Sequence, residues 1–283
     1  MKYAICPLSV VPVQSSITDK NEQLTQLLFG DLVEILEIKG KQWLKVRCDW
    51  DHSIGWVRYN QLQPITPSEF EAFRTDFALN FDLLCTVLNE QFSIPVPFGA
   101  RLPMFDGLRF QLGGQSFTCS GQAVFPKSIQ RTPELLVKLA QKLLFAPYQK
   151  GGLSPLGIDG PGFTQLAFRM MDYKLGREAA EQVLHGDAID FVEHAQIGDL
   201  AFFENRKGKI DHVGILVDKN HIIHVDGRVR IDKIDHYGIY DESTKKYLHP
   251  LRVLRRIPIF EAPLPNQAPA KEETQINQFQ LFG

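Results

Sequence analysis

The hydrophobic period of this chain changes twice, and the two changes bound its architecture. Up to residue 127 the apolar residues fall in short runs broken by glycine and proline. Residues 32–38 and 42–48 alternate at a period near two around Lys39-Gly40-Lys41, and Gly55-Trp56-Val57 follows. At Thr132-Pro133 the spacing becomes helical: Leu135, Leu136, Leu139, Leu143 and Leu144 recur on one face, behind a threonine suited to the N-cap and a proline suited to the first turn. A second helix is expected near Pro161, with Phe163, Leu166, Ala167 and Met170 as a stripe that core packing alone explains. Strand patterns then return at residues 199–203, 212–217, 221–225 and 229–231. Helices first and a small antiparallel sheet afterwards predict an α+β unit at the C-terminal end of the chain.

Composition narrows the function classes. The chain has 283 residues, enough for two or three compact units, with 31 Lys and Arg against 33 Asp and Glu. A charge balance so close to zero gives no electrostatic case for nucleic acid or an anionic membrane, and no apolar run approaches the ~18 residues of a membrane span. Residues 1–7 lack a long apolar stretch and a small-residue cleavage site, so the expectation is a cytoplasmic protein, or a periplasmic or extracellular one if a leader has been removed. The four cysteines, Cys6, Cys48, Cys85 and Cys119, have no metal-type spacing and are expected as reduced thiols.

Several ordered motifs carry a resemblance. Gly151-Gly152-Leu153-Ser154-Pro155 leads through Asp159 to Gly160-Pro161-Gly162-Phe163. Arg177-Glu178-Ala179-Ala180-Glu181-Gln182, Gly198-Asp199-Leu200-Ala201-Phe202-Phe203, Asp211-His212-Val213-Gly214-Ile215 and Ile222-Ile223-His224-Val225-Asp226-Gly227 follow, and Arg252–Arg256 fits a last strand. Together they resemble the NlpC-type cell-wall peptidases, papain-like cysteine enzymes of the γ-D-glutamyl-L-diamino acid endopeptidase kind. Upstream, the glycine and tryptophan pattern of residues 26–62 resembles a bacterial SH3-like barrel. The resemblance implies two N-terminal SH3-like β-barrels followed by a papain-like α+β domain. The expected division is 1–65 for the first barrel, 66–79 for a partly helical connection, 80–127 for the second barrel, 128–260 for the NlpC-type domain, and 261–283 for a loosely ordered polar tail.

The resemblance also implies a catalytic Cys-Ser where this chain has Gly160-Pro161, so the chain reads as a degenerate member without its nucleophile. A thiol protease needs a thiolate, a histidine that reaches it, and a group that orients the histidine. His212 and His224 match the second and third. Asp159, Ser154, Ser53 and Trp56 are implied as ligand-binding positions. Asp159 serves equally as a helix N-cap, Ser154 as a turn residue before Pro155, and Ser53 replaces a tyrosine of the relatives. Thr164 lies one turn beyond Gly160, and Cys119, in Thr118-Cys119-Ser120-Gly121, imitates the lost motif from the second barrel. Loss of a triad nucleophile costs roughly 10⁶ in turnover, whereas general base catalysis contributes only ~10²–10⁴. The reading leans towards a non-enzyme that binds a cell-wall peptide or a protein partner, with no cofactor. The alternatives are an active hydrolase using another nucleophile or a metal-bound water, with His212, His221, His224, Asp211 and Asp226 as possible ligands, and a structural or assembly protein.

Overall fold

The computed structural model describes residues 2–18 and 21–260. Seven strands, Tyr3–Ile5, Val10–Gln14, Gln23–Leu28, Leu32–Lys39, Trp43–Cys48, Ile54–Arg58 and Gln63–Ile65, form one antiparallel sheet in the spatial order third, second, sixth, fifth, fourth, first, seventh. The expected hairpin is present, with Val33 opposite Cys48 and Lys39 opposite Trp43. Its outer half departs from simple alternation: Leu36 and Ile38 are 39% and 48% exposed, because the strand slips register between Ile35 and Glu37 and its tip extends past the core. Val11, Val13, Leu27, Val33, Leu44, Val46 and Val57 make a core of this unit's own.

Helix Pro67–Thr75 connects this sheet to the next unit. Thr66 and Glu69 close a reciprocal cap: the Thr66 hydroxyl accepts from the Glu69 N–H, and the Glu69 carboxylate accepts from the Thr66 N–H. The connection is shorter than the expected 66–79, since strand Phe77–Asn80 already belongs to the second unit. That unit is two small antiparallel sheets. One orders Ser93–Pro97, Leu84–Leu88, Gln115–Cys119 and Arg109–Leu112; the other orders Arg101–Pro103, Phe77–Asn80 and Ala123–Val124. Their apolar faces merge with the third unit into one continuous core that includes Phe98, Leu102, Leu136, Leu166 and Phe202.

The third unit has helices Pro133–Gln141, Gly160–Arg169 and Ala179–Gln182 and a seven-stranded antiparallel sheet. The sheet order is Asp187–Ile189, Lys246–Arg256, Leu200–Glu204, Ile210–Leu216, His221–Asp226, Arg228–Asp235, Gly238–Asp241. The last strand pairs back onto Lys246–Arg256 and closes a ring. Thr132 caps its helix as expected, accepting from the Leu135 N–H at 3.1 Å. The helix expected to run to Phe145 ends at Gln141, and Phe145 takes a left-handed conformation. Helix Gly160–Arg169 is buried on every side rather than along one stripe. Its polar residues therefore carry partners: Thr164 donates to Gln182 at 2.6 Å, and Gln165 to Asp51 at 3.0 Å.

One buried cluster locks the three units together. Arg169, at the end of the central helix, donates to both oxygens of Asp31 in the first unit at 3.2 and 2.5 Å. Arg101 of the second unit donates twice to Asp49 of the first, at 3.3 Å each. Both guanidinium groups pack on the Trp50 ring, 5.2 and 5.0 Å from its centroid. The two buried cations each face a buried anion, the pairing that keeping charges out of water requires, while the more exposed Arg74 and Lys174 reach Asp49 from outside. Gly30 permits the approach: its φ is +78°, and a Cβ there would meet the Arg101 carbonyl oxygen at 2.1 Å. Residues 261–283, expected to be a loose tail, lie outside the described residues.

Candidate active site

The central helix begins in a cleft of about 720 Å³ between the first sheet and the third unit. Gly160 is its first residue and Asp159 its N-cap. A Cβ built on Gly160 would have nothing nearer than His212 Nδ1 and the Val213 carbonyl oxygen, both at 3.6 Å, and the glycine has no left-handed φ. The backbone would accept a cysteine here. The residue type alone, and not the space, removes the thiol.

His212 and His224 come together as expected, and the relay runs further. His212 Nε2 lies 3.0 Å from His224 Nδ1, and His224 Nε2 lies 2.8 Å from Asp232 Oδ2. Arg230 holds Asp232 in turn, with Nη2 donating to Oδ1 at 2.7 Å. Burial works to raise the Asp232 carboxyl, but hydrogen bonds from His224 and Arg230 outweigh it and hold the group below the usual range. An ionised carboxylate only accepts. In the neutral relay His224 therefore carries its proton on Nε2, its Nδ1 accepts from His212 Nε2–H, and the lone pair of His212 Nδ1 faces Gly160. A base is aimed at the point where a nucleophile would stand.

His249 completes the cluster, stacked flat on His212 with ring centroids 4.0 Å apart and planes 10° apart. Burial first, and then the neighbouring His249 and His224, push the His212 imidazolium well below its ordinary pKa of 6.5. The sign for stability follows. The unfolded chain takes a proton on this ring near pH 6.5 while the folded chain does not, so this contribution is present above pH 6.5 and is lost as pH falls below it. Thermal melts from pH 8 to pH 5 are expected to show a falling midpoint below about pH 6.5, and His212→Gln is expected to flatten that fall. An unchanged slope in the variant would place the acid sensitivity elsewhere.

The implied ligand positions separate. Asp159 lines the cleft, yet its carboxylate is already engaged: Oδ1 accepts from Gly162 N–H at 2.7 Å and Arg177 Nη1 at 2.9 Å, and Oδ2 accepts from Gly151 N–H and Arg177 Nη2, both at 2.8 Å. Of the two readings left open, the geometry displays the cap, braced by an arginine that also reaches Thr25 of the first unit at 3.0 Å. Ser154 is buried in the short strand Leu153–Ser154 and is not part of the cleft wall. Ser53 sits in the turn before Ile54–Arg58, its N–H donating to Asp51 at 2.9 Å, and Trp56 lies among Lys39 and Lys45; neither lines the cleft. The other carboxylates that line it are Glu22, Glu178, Asp211 and Asp226, beside Lys150 and Lys209. Gly151, at φ +71°, lets the Lys150 segment lie against the first sheet, where a Cβ would meet the Gln23 carbonyl oxygen at 2.3 Å.

Other candidates are displaced from the site. Cys119 is in the second unit and outside the cleft, and His221 pairs with Asp218 at 2.9 Å. The metal set considered from sequence does not assemble; among the described residues the close trio is His212, His224 and His249, with ligand atoms within 4.8 Å of one another. Sequence reasoning missed Asp232, Arg230 and His249. Asp232 had a signal, because a residue two along from Arg230 shares its face of the strand and meets His224 diagonally across the ladder. His249 had none: only closure of the ring brings it there.

Comparison with known proteins agrees with this architecture. Residues 146–251 match the NlpC/P60 family, and residues 15–62 match the bacterial dipeptidyl-peptidase SH3 domain. A γ-D-glutamyl-L-lysine dipeptidyl-peptidase of Bacillus subtilis is 28% identical over 217 residues, covering 71% of each chain. One of Bacillus cereus is 26% identical over 230 residues, 74% of this chain and 68% of that protein. The crystal structure of an NlpC/P60 family protein from Bacillus cereus superposes with a TM-score of 0.76 at 20% identity, covering 90% of this chain and 99% of that one, which shows a shared fold. The chain therefore carries an NlpC/P60 family domain, joined at its N-terminal side to a bacterial SH3 domain.

Proposed function

We propose that this protein binds a cell-wall peptide, or a protein partner that presents similar groups, in the NlpC/P60 cleft without cleaving it, and that its second unit serves as a further SH3-like module supporting that cleft. The observation that carries the reading is Gly160, a side-chain-free residue at the helix mouth, 3.6 Å (from its ideal Cβ) from the imidazole that would activate a thiol. Named relatives act on γ-D-glutamyl-L-lysine peptides. Such a ligand has a free amine and carboxylates, and the cleft offers both charges: Glu178 and Asp226 for the first, Lys209 for the second, with Glu22 and Lys150 paired to each other at 3.2 Å. The helix start adds the Gly160 N–H, which has no intrahelical partner.

The test is calorimetric titration with the tripeptide L-alanyl-γ-D-glutamyl-L-lysine. Saturable binding with the peptide recovered intact is expected, and Glu178→Gln is expected to weaken it by roughly tenfold, in line with the ~1.5 kcal/mol lower bound for a hydrogen bond to a charged group. No saturable heat from the unmodified protein would remove the reading.

A second reading, hydrolysis by a metal-bound water, is favoured by the three-histidine cluster. The rings argue against it as they stand. An ion sits in the plane of each imidazole it binds, and His212 and His249 are stacked within 10° of parallel, so both cannot point at one ion without one ring turning. Zinc found at one equivalent after dialysis against zinc and then buffer, and lost in His249→Ala, would support the metal reading over the first.

A further inference from the structure

All four cysteines are free thiols in the structure, as expected, and two of them stand side by side. Cys85, on Leu84–Leu88, and Cys119, at the end of Gln115–Cys119, bring their Sγ atoms to 3.8 Å. These strands are hydrogen-bonded neighbours, with Cys119 opposite Val87, so Cys85 lies two residues along the same face as a diagonal partner. Gly121 makes the approach possible: a Cβ there would lie 2.5 Å from Cys85 Cβ. Neither cysteine lines the cleft, and the NlpC/P60 match begins only at residue 146, so the pair is independent of the functional reading above.

The other two thiols differ. Cys6 donates to the Leu8 carbonyl at 3.3 Å inside the first core, and burial pushes the Cys6 and Cys48 thiols up. In the pair, Cys85 and Cys119 are also buried, at 7% and 6% exposed, but the hydrogen bond shared between their sulfurs lets one thiol stabilise the ionised form of the other. A thiolate with a second thiol beside it is the arrangement of a redox couple, in which one sulfur attacks and the other resolves.

We propose that Cys85 and Cys119 are a thiol–disulfide couple, which takes up a cross-strand disulfide on meeting a disulfide oxidant such as glutathione disulfide. One cysteine of the pair, as its thiolate, attacks one sulfur of glutathione disulfide, forming a mixed disulfide and expelling one glutathione thiolate. The other gives its proton to solvent and attacks the first cysteine's Sγ, expelling the second glutathione. Two protein thiols are oxidised by two electrons, and one glutathione disulfide is reduced to two glutathione thiols. The sulfurs must close from 3.8 Å to about 2.05 Å, which for diagonal neighbours requires the two strands to draw together as well as the side chains to rotate. The bond joins positions 34 residues apart and ties together the middle strands of the second unit's four-stranded sheet.

The experiment equilibrates the intact folded protein with excess glutathione disulfide, quenches with acid, and alkylates with iodoacetamide in denaturant. Mass spectrometry of the whole chain and of peptides cut without reduction then counts and locates the protected thiols. Two of the four cysteines are expected to resist alkylation, with a Cys85–Cys119 linked peptide and an unfolding midpoint several degrees above that of the reduced protein. Cys85→Ser and Cys119→Ser are each expected to abolish the link. Four alkylated thiols, glutathione adducts without the internal link, or a link through Cys6 or Cys48 would overturn the proposal.

Discussion

Gly160→Cys is expected to turn the cleft into a peptidase site, raising release of γ-D-glutamyl-L-lysine from stem peptide by at least ~10³ over the unmodified chain, within the roughly 10⁶ that a triad nucleophile contributes. Each requirement of the thiol is already present. The new Cβ fits at ordinary contact distance from His212 Nδ1, and that nitrogen carries the lone pair that would take the proton. The helix start favours the thiolate, and Pro161 at the next helical position removes no donor that the first turn uses. His224, Asp232 and Arg230 hold the base in the needed tautomer. Activity that appears in the variant and disappears on alkylation would show that the site lacks sulfur and nothing else. A folded variant whose new thiol alkylates rapidly but releases no dipeptide would mean that the cleft no longer seats the peptide.

Asp31→Ala is expected to be the most damaging stability change outside the cores. Asp31 accepts from Arg169 with both oxygens and also from the Leu28 N–H at 2.9 Å, so it joins the first sheet to the far end of the site helix. Its removal leaves Arg169, 1% exposed, as a buried charge without its partner, while Arg101 lies beside it on Trp50. Breaking a buried pair from one side costs about 3–5 kcal/mol, which lowers the melting midpoint of a chain this size by roughly 10 °C. Calorimetric scans would check the shift. Double substitution Asp31→Ala with Arg169→Met should recover part of the loss, because it removes the orphaned charge as well. A change of a degree or less in the single variant would mean that water reaches the junction.

The elements that pack by local pattern were legible in the sequence. Strands 199–203, 212–217, 221–225 and 229–231 and the two main helices appear where hydrophobic period placed them, since burial of one face is a property of consecutive residues. Gly160, His212 and His224 were legible for a different reason: they sit in ordered motifs. What escaped was set by register and closure. Asp232 reaches His224 through the pairing of two strands, and His249 reaches His212 because Lys246–Arg256 pairs at both its edges. Ser53 and Trp56 lay in the right barrel, but its docking brings the end of strand Gln23–Leu28, not the turn near residue 53, to the cleft. Asp159 lines the cleft, and what its position in the motif did not reveal is the arginine eighteen residues later that pairs with its carboxylate.

Mass spectrometry of the unmodified protein incubated with L-alanyl-γ-D-glutamyl-L-lysine tests the account most directly. The expected result is intact tripeptide and a polypeptide of unchanged mass. Dipeptide released at an ordinary enzyme rate, on the order of 1 s⁻¹ or faster, or an acyl group found on any residue of the chain, would contradict it.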